Sequence, residues 1–266
     1  MNKKSLSELY ILMVEPSKSQ AKHIHRELKA AGITHFEFAF DGESALHAMS
    51  QFKPDLVVSA MYLPDMVATD LICKMQNDKY LDDVSFMLIS SETGFDYLDP
   101  IKQAGVIAIL PKPFKFEQLK RGLYNTMNMM NPEELDLGDI VVEDLKVLVV
   151  DDSMLARKHI MRVLNGLGIE EVIQAEDGVE AVAILKDQFF DFMVTDFNMP
   201  NMDGRALLEF VRNQSNQRSM PVLMVTSEGN MGQLAAVEQA GVSGIFDKPF
   251  DSDTVRVLIQ KILTDV

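Results

Sequence analysis

The chain has 266 residues, 25 basic and 40 acidic, for a formal net charge of −15, and its 47% hydrophobic and 24% charged content is globular rather than disordered. At roughly 150 residues per domain the length suggests about two domains, and so acidic a field repels phosphate backbones, which speaks against direct nucleic-acid binding. The single cysteine, Cys73, excludes an internal disulfide framework and fits a reducing, cytoplasmic setting, while the opening apolar run stops at Glu15, too short for a signal-peptide core or a membrane span.

That first run, YILMVE at 10–15, reads as a strand and has a counterpart in KVLVVD at 146–151. Farther along, Asp41-Gly42, Asp55, Pro64, Ser91-Glu92, Ala104-Gly105-Val106 and Lys112-Pro113-Phe114 each recur 136 residues later. A constant offset held without a gap marks two copies of one domain. Between the copies, residues 132–145 hold six acids (Glu133, Glu134, Asp136, Asp139, Glu143, Asp144) and no base, and read as a solvated acidic linker. A surface for a basic partner is the lesser alternative.

In the second copy, strand-length apolar runs at 147–150, 171–175, 192–195, 222–226 and 244–247 alternate with helical stretches at 153–166, 178–188, 205–213, 231–240 and 252–263. Ser153 is placed to cap the first helix, and Gly168 and Gly241 follow helix ends. Repeated β-α alternation predicts α/β architecture: two doubly wound, flavodoxin-like (βα)5 domains with five-stranded parallel sheets, in tandem. In such sheets the ligand site lies at the carboxyl ends of the strands.

Five chemically useful side chains fall at those ends. Asp151 and Asp152 end the first strand of the second copy, Asp196 the third and Thr226 the fourth, and Lys248 follows the fifth. Three crowded carboxylates resist full ionisation without a counter-charge, and Mg2+ suits a site of one or two carboxylates, waters and a phosphate. A lysine and a hydroxyl beside that metal would surround a phosphoryl group in transfer, with the third-strand carboxylate as nucleophile.

With VVDDS at 149–153, TDFNMPNMDG at 195–204, TSE at 226–228 and KPF at 248–250, the second copy resembles the receiver domain of bacterial two-component response regulators, particularly the stand-alone chemotaxis type. The resemblance implies that Asp196 accepts a phosphoryl group from a sensor histidine kinase or a histidine phosphotransfer protein. It implies Mg2+ held by Asp152, Asp196 and the backbone carbonyl of Asn198, with Asp151 acting through water, and phosphoryl oxygens contacted by Thr226 and Lys248. Asn198 and Glu228 would flank the path of the hydrolytic water, and the Lys248-Pro249 bond is expected to be cis. The aromatic residue that the family carries three positions before the lysine is replaced by Ile245, and alternation along the strand turns Phe246 to the other face. A threonine–aromatic toggle is therefore not expected.

The first copy resembles the same family over about residues 8–130, with its site dismantled: Pro16 replaces a metal-binding acid and Ala60 the phosphoacceptor, while Glu15, Ser90 and Lys112 survive and Ile109 repeats the missing aromatic. It reads as a degenerate pseudo-receiver, giving an organisation of 1–131 pseudo-receiver, 132–145 linker and 146–266 phosphorylatable receiver. Lys112 survives either because the Lys-Pro-Phe turn shapes the backbone or as a partner for Glu15. His23 and His25 sit two apart on one helix, a poor metal pair, and His23 aligns with His159, which suggests a shared structural role. Cys73 reads as a small buried hydrophobe, and the 18 methionines chiefly as core filler.

The resulting expectation is a phosphoacceptor rather than an enzyme, one that assists its own phosphorylation and dephosphorylation and switches protein–protein contacts. Phosphorylation would bias the face formed by residues 230–264 toward a downstream protein target. Val266 follows the last helix directly, so no DNA-binding or catalytic output domain is expected; a homodimer through the first domain is one option. A phosphate sink, a phosphorelay intermediate and the N-terminal module of a longer regulator remain alternatives. An aspartate-nucleophile phosphohydrolase of the haloacid dehalogenase type is disfavoured, because it needs a second Asp two residues after the first and Asp151 and Asp152 are adjacent. Flavin binding is less favoured still, since acids line the site.

Overall fold

The computed structural model describes residues 4–133, 135–227, 241–249 and 252–264. The chain divides into two compact units, Met1–Asn131 and Pro132–Val266. The first unit runs β1 (Tyr10–Val14), α1 (Lys18–Ala30), β2 (His35–Ala39), α2 (Gly42–Gln51), β3 (Leu56–Ala60), α3 (Ala68–Gln76), β4 (Ser85–Ser90), α4 (Phe95–Gln103), β5 (Ala108–Pro111) and α5 (Phe116–Met130). The second runs β6 (Lys146–Val150), α6 (Met154–Gly166), β7 (Glu171–Ala175), α7 (Gly178–Asp187), β8 (Phe192–Asp196), α8 (Gly204–Asn213), β9 (Val222–Thr226), β10 (Gly244–Asp247) and a last described helix, here α9 (Ser252–Thr264). The helix predicted at 231–240 lies outside the described residues.

Each sheet has five parallel strands, in the orders β2-β1-β3-β4-β5 and β7-β6-β8-β9-β10, the doubly wound arrangement expected from the β-α alternation. The inner strands β3, β4, β8 and β9 are buried at every position, as helices on both faces require, whereas the edge strands β2 and β7 bury only their last residue fully. Helix starts repeat between the units. Ser17 and Ser153 accept hydrogen bonds from the amides of Gln20 and Ala156, and Asp41 and Asp177 from those of Ser44 and Glu180. α6 ends in a turn where Gly168 adopts a φ of +96°, a conformation open to glycine.

Several expectations change on the three-dimensional page. Cys73 is exposed, not buried: α3 turns Leu71, Ile72 and Met75 inward, and position 73 falls on the outer face of that helix. His23 and His159 do not share an environment, since His159 is buried beside Ile160 and Val163 while His23 is exposed, with its Nδ1 3.0 Å from Arg26 Nη2. The acids of 132–145 that are described do face solvent, but Leu135 and Leu137 are buried between them, and the Leu135 amide lies 3.5 Å from the Leu167 carbonyl oxygen. That stretch is therefore fastened to the second unit by its leucines. The methionines behave as filler: Met13, Met49, Met75, Met87, Met193 and Met224 are buried, and Met127 and Met129 pack against the first core, with Met130 exposed.

At Gly204, the first residue of α8, a Cβ would stand 2.1 Å from the backbone oxygen of Asp196. Backbone cannot swing aside as a flexible side chain can, so Gly204→Ala is expected to lower the free energy of unfolding by about 1–3 kcal/mol. Urea denaturation monitored by circular dichroism checks this, and an unchanged midpoint would refute the close approach.

Candidate functional site

In the second unit the parallel register brings the end of β6 beside the end of β8, and the end of β8 beside β9. Asp151, just past β6, is fully buried; its Oδ1 accepts from the Ser153 amide at 2.9 Å and its Oδ2 from Lys248 Nζ at 2.7 Å. Asp196, the last residue of β8, is also buried; its Oδ2 accepts from the Asn198 amide at 3.2 Å, and its Oδ1 lies 2.8 Å from Lys248 Nζ. Lys248 is itself buried, and its amide donates to the Thr226 carbonyl at 2.7 Å, fixing where the side chain leaves the backbone. Thr226 is buried at the end of β9, and Asp152 beside Asp151 is exposed. Asp151, Asp152 and Asp196 each present an oxygen within 4.8 Å of the others.

Burial pushes the Asp196 carboxyl up to about 6; the Lys248 ammonium opposes this, and the charges of Asp151 and Asp152 add to it. Asp151 is raised for the same first reason, again against the pull of Lys248. For Lys248 burial works against the charged form, but the two carboxylates outweigh it and its pKa lies above the ordinary lysine value. Three carboxylates face one ammonium, whose Nζ lies 2.8 Å from Asp196 Oδ1 and 2.7 Å from Asp151 Oδ2. A cluster of carboxylate oxygens with surplus negative charge fits an oxygen-seeking divalent cation such as Mg2+.

Of the five side chains expected at the carboxyl edge, Asp151, Asp152, Asp196 and Lys248 converge, Thr226 is the buried last residue of β9 whose carbonyl accepts from the Lys248 amide, Asn198 lies in the loop after β8, and the Lys248-Pro249 bond is cis. Glu228 and Phe250 lie outside the described residues, as does the 230–240 portion of the face assigned to switching. Phe246 is buried against Ile160, Val194, Val225 and Val255, whereas Ile245 packs with the core on the other side of the sheet, as alternation requires. Sequence reasoning passed over Arg157. It lies buried on the inner face of α6, and its Nη1 donates to the Asp151 carbonyl at 2.6 Å. An arginine in the helical phase of Ala156, Ile160 and Val163 was the available signal.

The corresponding edge of the first unit keeps the backbone and one of the three acids. Glu15 follows β1 and is buried; its Oε1 accepts from the Ser17 amide at 2.9 Å and its Oε2 from Lys112 Nζ at 2.9 Å, and Lys112 also donates to Gln20 Oε1. The pairing reading of Lys112 thus describes its geometry, and the Lys112-Pro113 bond is cis as well. Ala60 ends β3 with no functional group, and the Ser90 hydroxyl oxygen accepts from the Glu92 amide at 3.0 Å. Among the described residues, the one grouping of three potential metal-binding acids is that of the second unit.

A model of the response regulator receiver domain matches residues 11–124 and again 147–260. The chemotaxis protein CheY of Pseudomonas aeruginosa is 41% identical over 122 residues, 46% of this chain and 98% of that protein. Chemotaxis protein CheY-3 of Vibrio cholerae is 39% identical over 123 residues, 46% of this chain and 95% of its own length. A solved structure of the Vibrio cholerae chemotaxis response regulator CheY4 is 36% identical, with a TM-score of 0.41 over 44% of this chain and 98% of that one. Because the two matched stretches coincide with the two sheets, the chain belongs to the response regulator receiver domain family of two-component signalling and carries that domain twice.

Proposed function

We propose that the second domain takes a phosphoryl group on Asp196 in a Mg2+-dependent reaction and that the first domain is a pseudo-receiver that takes none. The observation carrying this reading is the buried Lys248 ammonium lying 2.7 Å from Asp151 Oδ2 and 2.8 Å from Asp196 Oδ1, two members of a three-carboxylate cluster. The donor is a phosphohistidine of a sensor kinase or phosphotransfer protein. An Asp196 carboxylate oxygen forms the new O–P bond as the P–N bond to the donor imidazole breaks, and the departing ring nitrogen takes a proton from solvent. Mg2+, when bound, supplies positive charge for the equatorial phosphoryl oxygens.

The ion would be held by Asp152, Asp196 and the Asn198 carbonyl, with Asp151 through water. Lys248 exchanges its contact with Asp196 Oδ1 for one with the phosphoryl oxygens, and the Thr226 hydroxyl donates to another of them. In the first domain Ala60 offers no nucleophile, and Lys112 remains committed to Glu15. Output through a protein target biased by this change in Lys248 and Thr226 contacts completes the proposal. No helix among the described residues is long and apolar enough to cross a membrane.

Acetyl phosphate with Mg2+ is expected to label the full chain at one residue, located at Asp196 by peptide mapping, and Asp196→Asn is expected to abolish the label. Asp152→Ala should raise the Mg2+ requirement by about tenfold or more. Label in residues 1–131, or label surviving Asp196→Asn, would overturn the assignment.

The raised Asp196 pKa makes a second expectation. Between the ordinary carboxyl value of 3.8 and about 6 the folded protein holds a proton on this group that the unfolded chain releases, so stability falls as pH rises through that window. Without Mg2+, Asp196→Asn should therefore be more stable than wild type at pH 7.5, by on the order of 2 kcal/mol, with the gap closing toward pH 4. Added Mg2+ should narrow it at pH 7.5. Urea titrations across this range decide the matter, and a pH-independent gap would contradict the buried, crowded carboxyl.

A further inference from the structure

The turn between β6 and α6, which carries both Asp151 and Asp152, is braced from behind by one side chain. Arg157 is 7% exposed in its side chain, and its guanidinium makes contacts in two directions. Toward the turn, Nη1 donates to the Asp151 carbonyl at 2.6 Å and approaches the Asp152 carbonyl at 3.5 Å. Away from it, Nη2 donates to Glu176 Oε1 at 3.1 Å and Nε to Gln174 Oε1 at 3.3 Å. Gln174 sits on β7 and Glu176 just beyond it, so the guanidinium joins the acid-bearing turn to the neighbouring strand. Its contacts at the turn go to carbonyl oxygens. It therefore sets the path of the backbone instead of neutralising the carboxylates.

The other copy of the domain supplies an internal control. At the 136-residue offset Arg157 corresponds to Ala21, Gln174 to Phe38 and Glu176 to Phe40, so all three members of the brace are absent from the domain that lacks the acid cluster. The turn there carries Pro16 where the second copy has Asp152, and a proline ring restricts φ by itself. The second copy needs an acid at that position and has no such covalent restraint. Two adjacent carboxylates that must face one site and hold their places against mutual repulsion require a turn stiffened by other means, and a planar five-donor guanidinium anchored on a carboxylate supplies it.

We propose that Arg157 is a positioning residue for metal binding. Anchored by Glu176 and Gln174, it locks the Asp151–Asp152 turn in the shape that presents both carboxylates to Mg2+. This rests on the phosphoacceptor reading of the second domain. It adds a residue that acts through the backbone and touches neither the metal nor the phosphoryl group.

The test is a Mg2+ titration of the full chain in the absence of any phosphodonor, followed by the amide NMR shifts of residues 150–153, on wild type, Arg157→Met, Arg157→Lys and Glu176→Gln. The midpoint is expected to rise about tenfold in Arg157→Met and by a smaller factor in Arg157→Lys, which keeps the charge but offers a single donor head. Glu176→Gln, at a side chain 76% exposed, cannot unfold the core and should still raise the midpoint measurably. Acetyl-phosphate kinetics at saturating Mg2+ should return the Arg157→Met rate to within about twofold of wild type, since the defect lies in metal loading. An unchanged midpoint in folded Arg157→Met overturns the proposal, as does an unchanged midpoint in Glu176→Gln should Arg157→Met fail to fold. A rate defect that saturating Mg2+ does not repair also overturns it. Failure of wild type to label at Asp196 would instead remove the phosphoacceptor reading, while the Mg2+ midpoints still decide the role of Arg157.

Discussion

A buried ammonium between two buried carboxylates organises the second domain's functional edge. Lys248 reaches Asp151 at 2.7 Å and Asp196 at 2.8 Å from the far side of the sheet, 97 residues along the chain from the first of them. Neither acid could stay charged in that place without it, and the lysine could not be buried without them. The balance is incomplete: Asp152 adds a third negative charge, and burial with crowding still lifts Asp196 to about 6. That surplus of negative charge is what a divalent cation can relieve. A site that is electrostatically unfinished when empty is therefore suited to switching.

The two domains show how little of the fold depends on this chemistry. Both keep the strand order, the serine and aspartate caps, a lysine after the fifth strand (buried in the second domain, half-buried in the first) and the cis Lys-Pro bond. What bears on the chemistry is which side chains stand at the strand ends. With Ala60 for Asp196 and Pro16 for Asp152, the first domain closes its balance internally: one carboxylate, Glu15, meets one ammonium, Lys112, at 2.9 Å. A one-to-one pair has no surplus charge to offer a cation. The same scaffold thus holds an open electrostatic site in one copy and a closed ion pair in the other.

The sheet and the meeting of Asp151, Asp152, Asp196 and Lys248 were legible in the chain. Apolar runs of five residues, helical periodicity between them and polar residues at the run ends leave one topology in which those ends meet. Local caps such as Ser153 and Asp177 were readable for the same reason, because they act within four residues of themselves. Arg157, Cys73 and His23 were not. A buried arginine and a polar-face cysteine look alike in a linear pattern, since the fate of each depends on what neighbouring strands place opposite it.

Periodicity and the 136-residue repeat alone determined that this chain is two doubly wound sheets, that one copy keeps the acids and that the other has lost them. These are facts about residue type and spacing, which need no coordinates. Tertiary structure alone decided the partners: that Arg157 lies under the acid turn, that Lys112 is spent on Glu15, and that Leu135 and Leu137 tie an acidic stretch to the second unit. Such pairings join groups distant in sequence, and their energies depend on distance and burial, which exist only once the chain has folded.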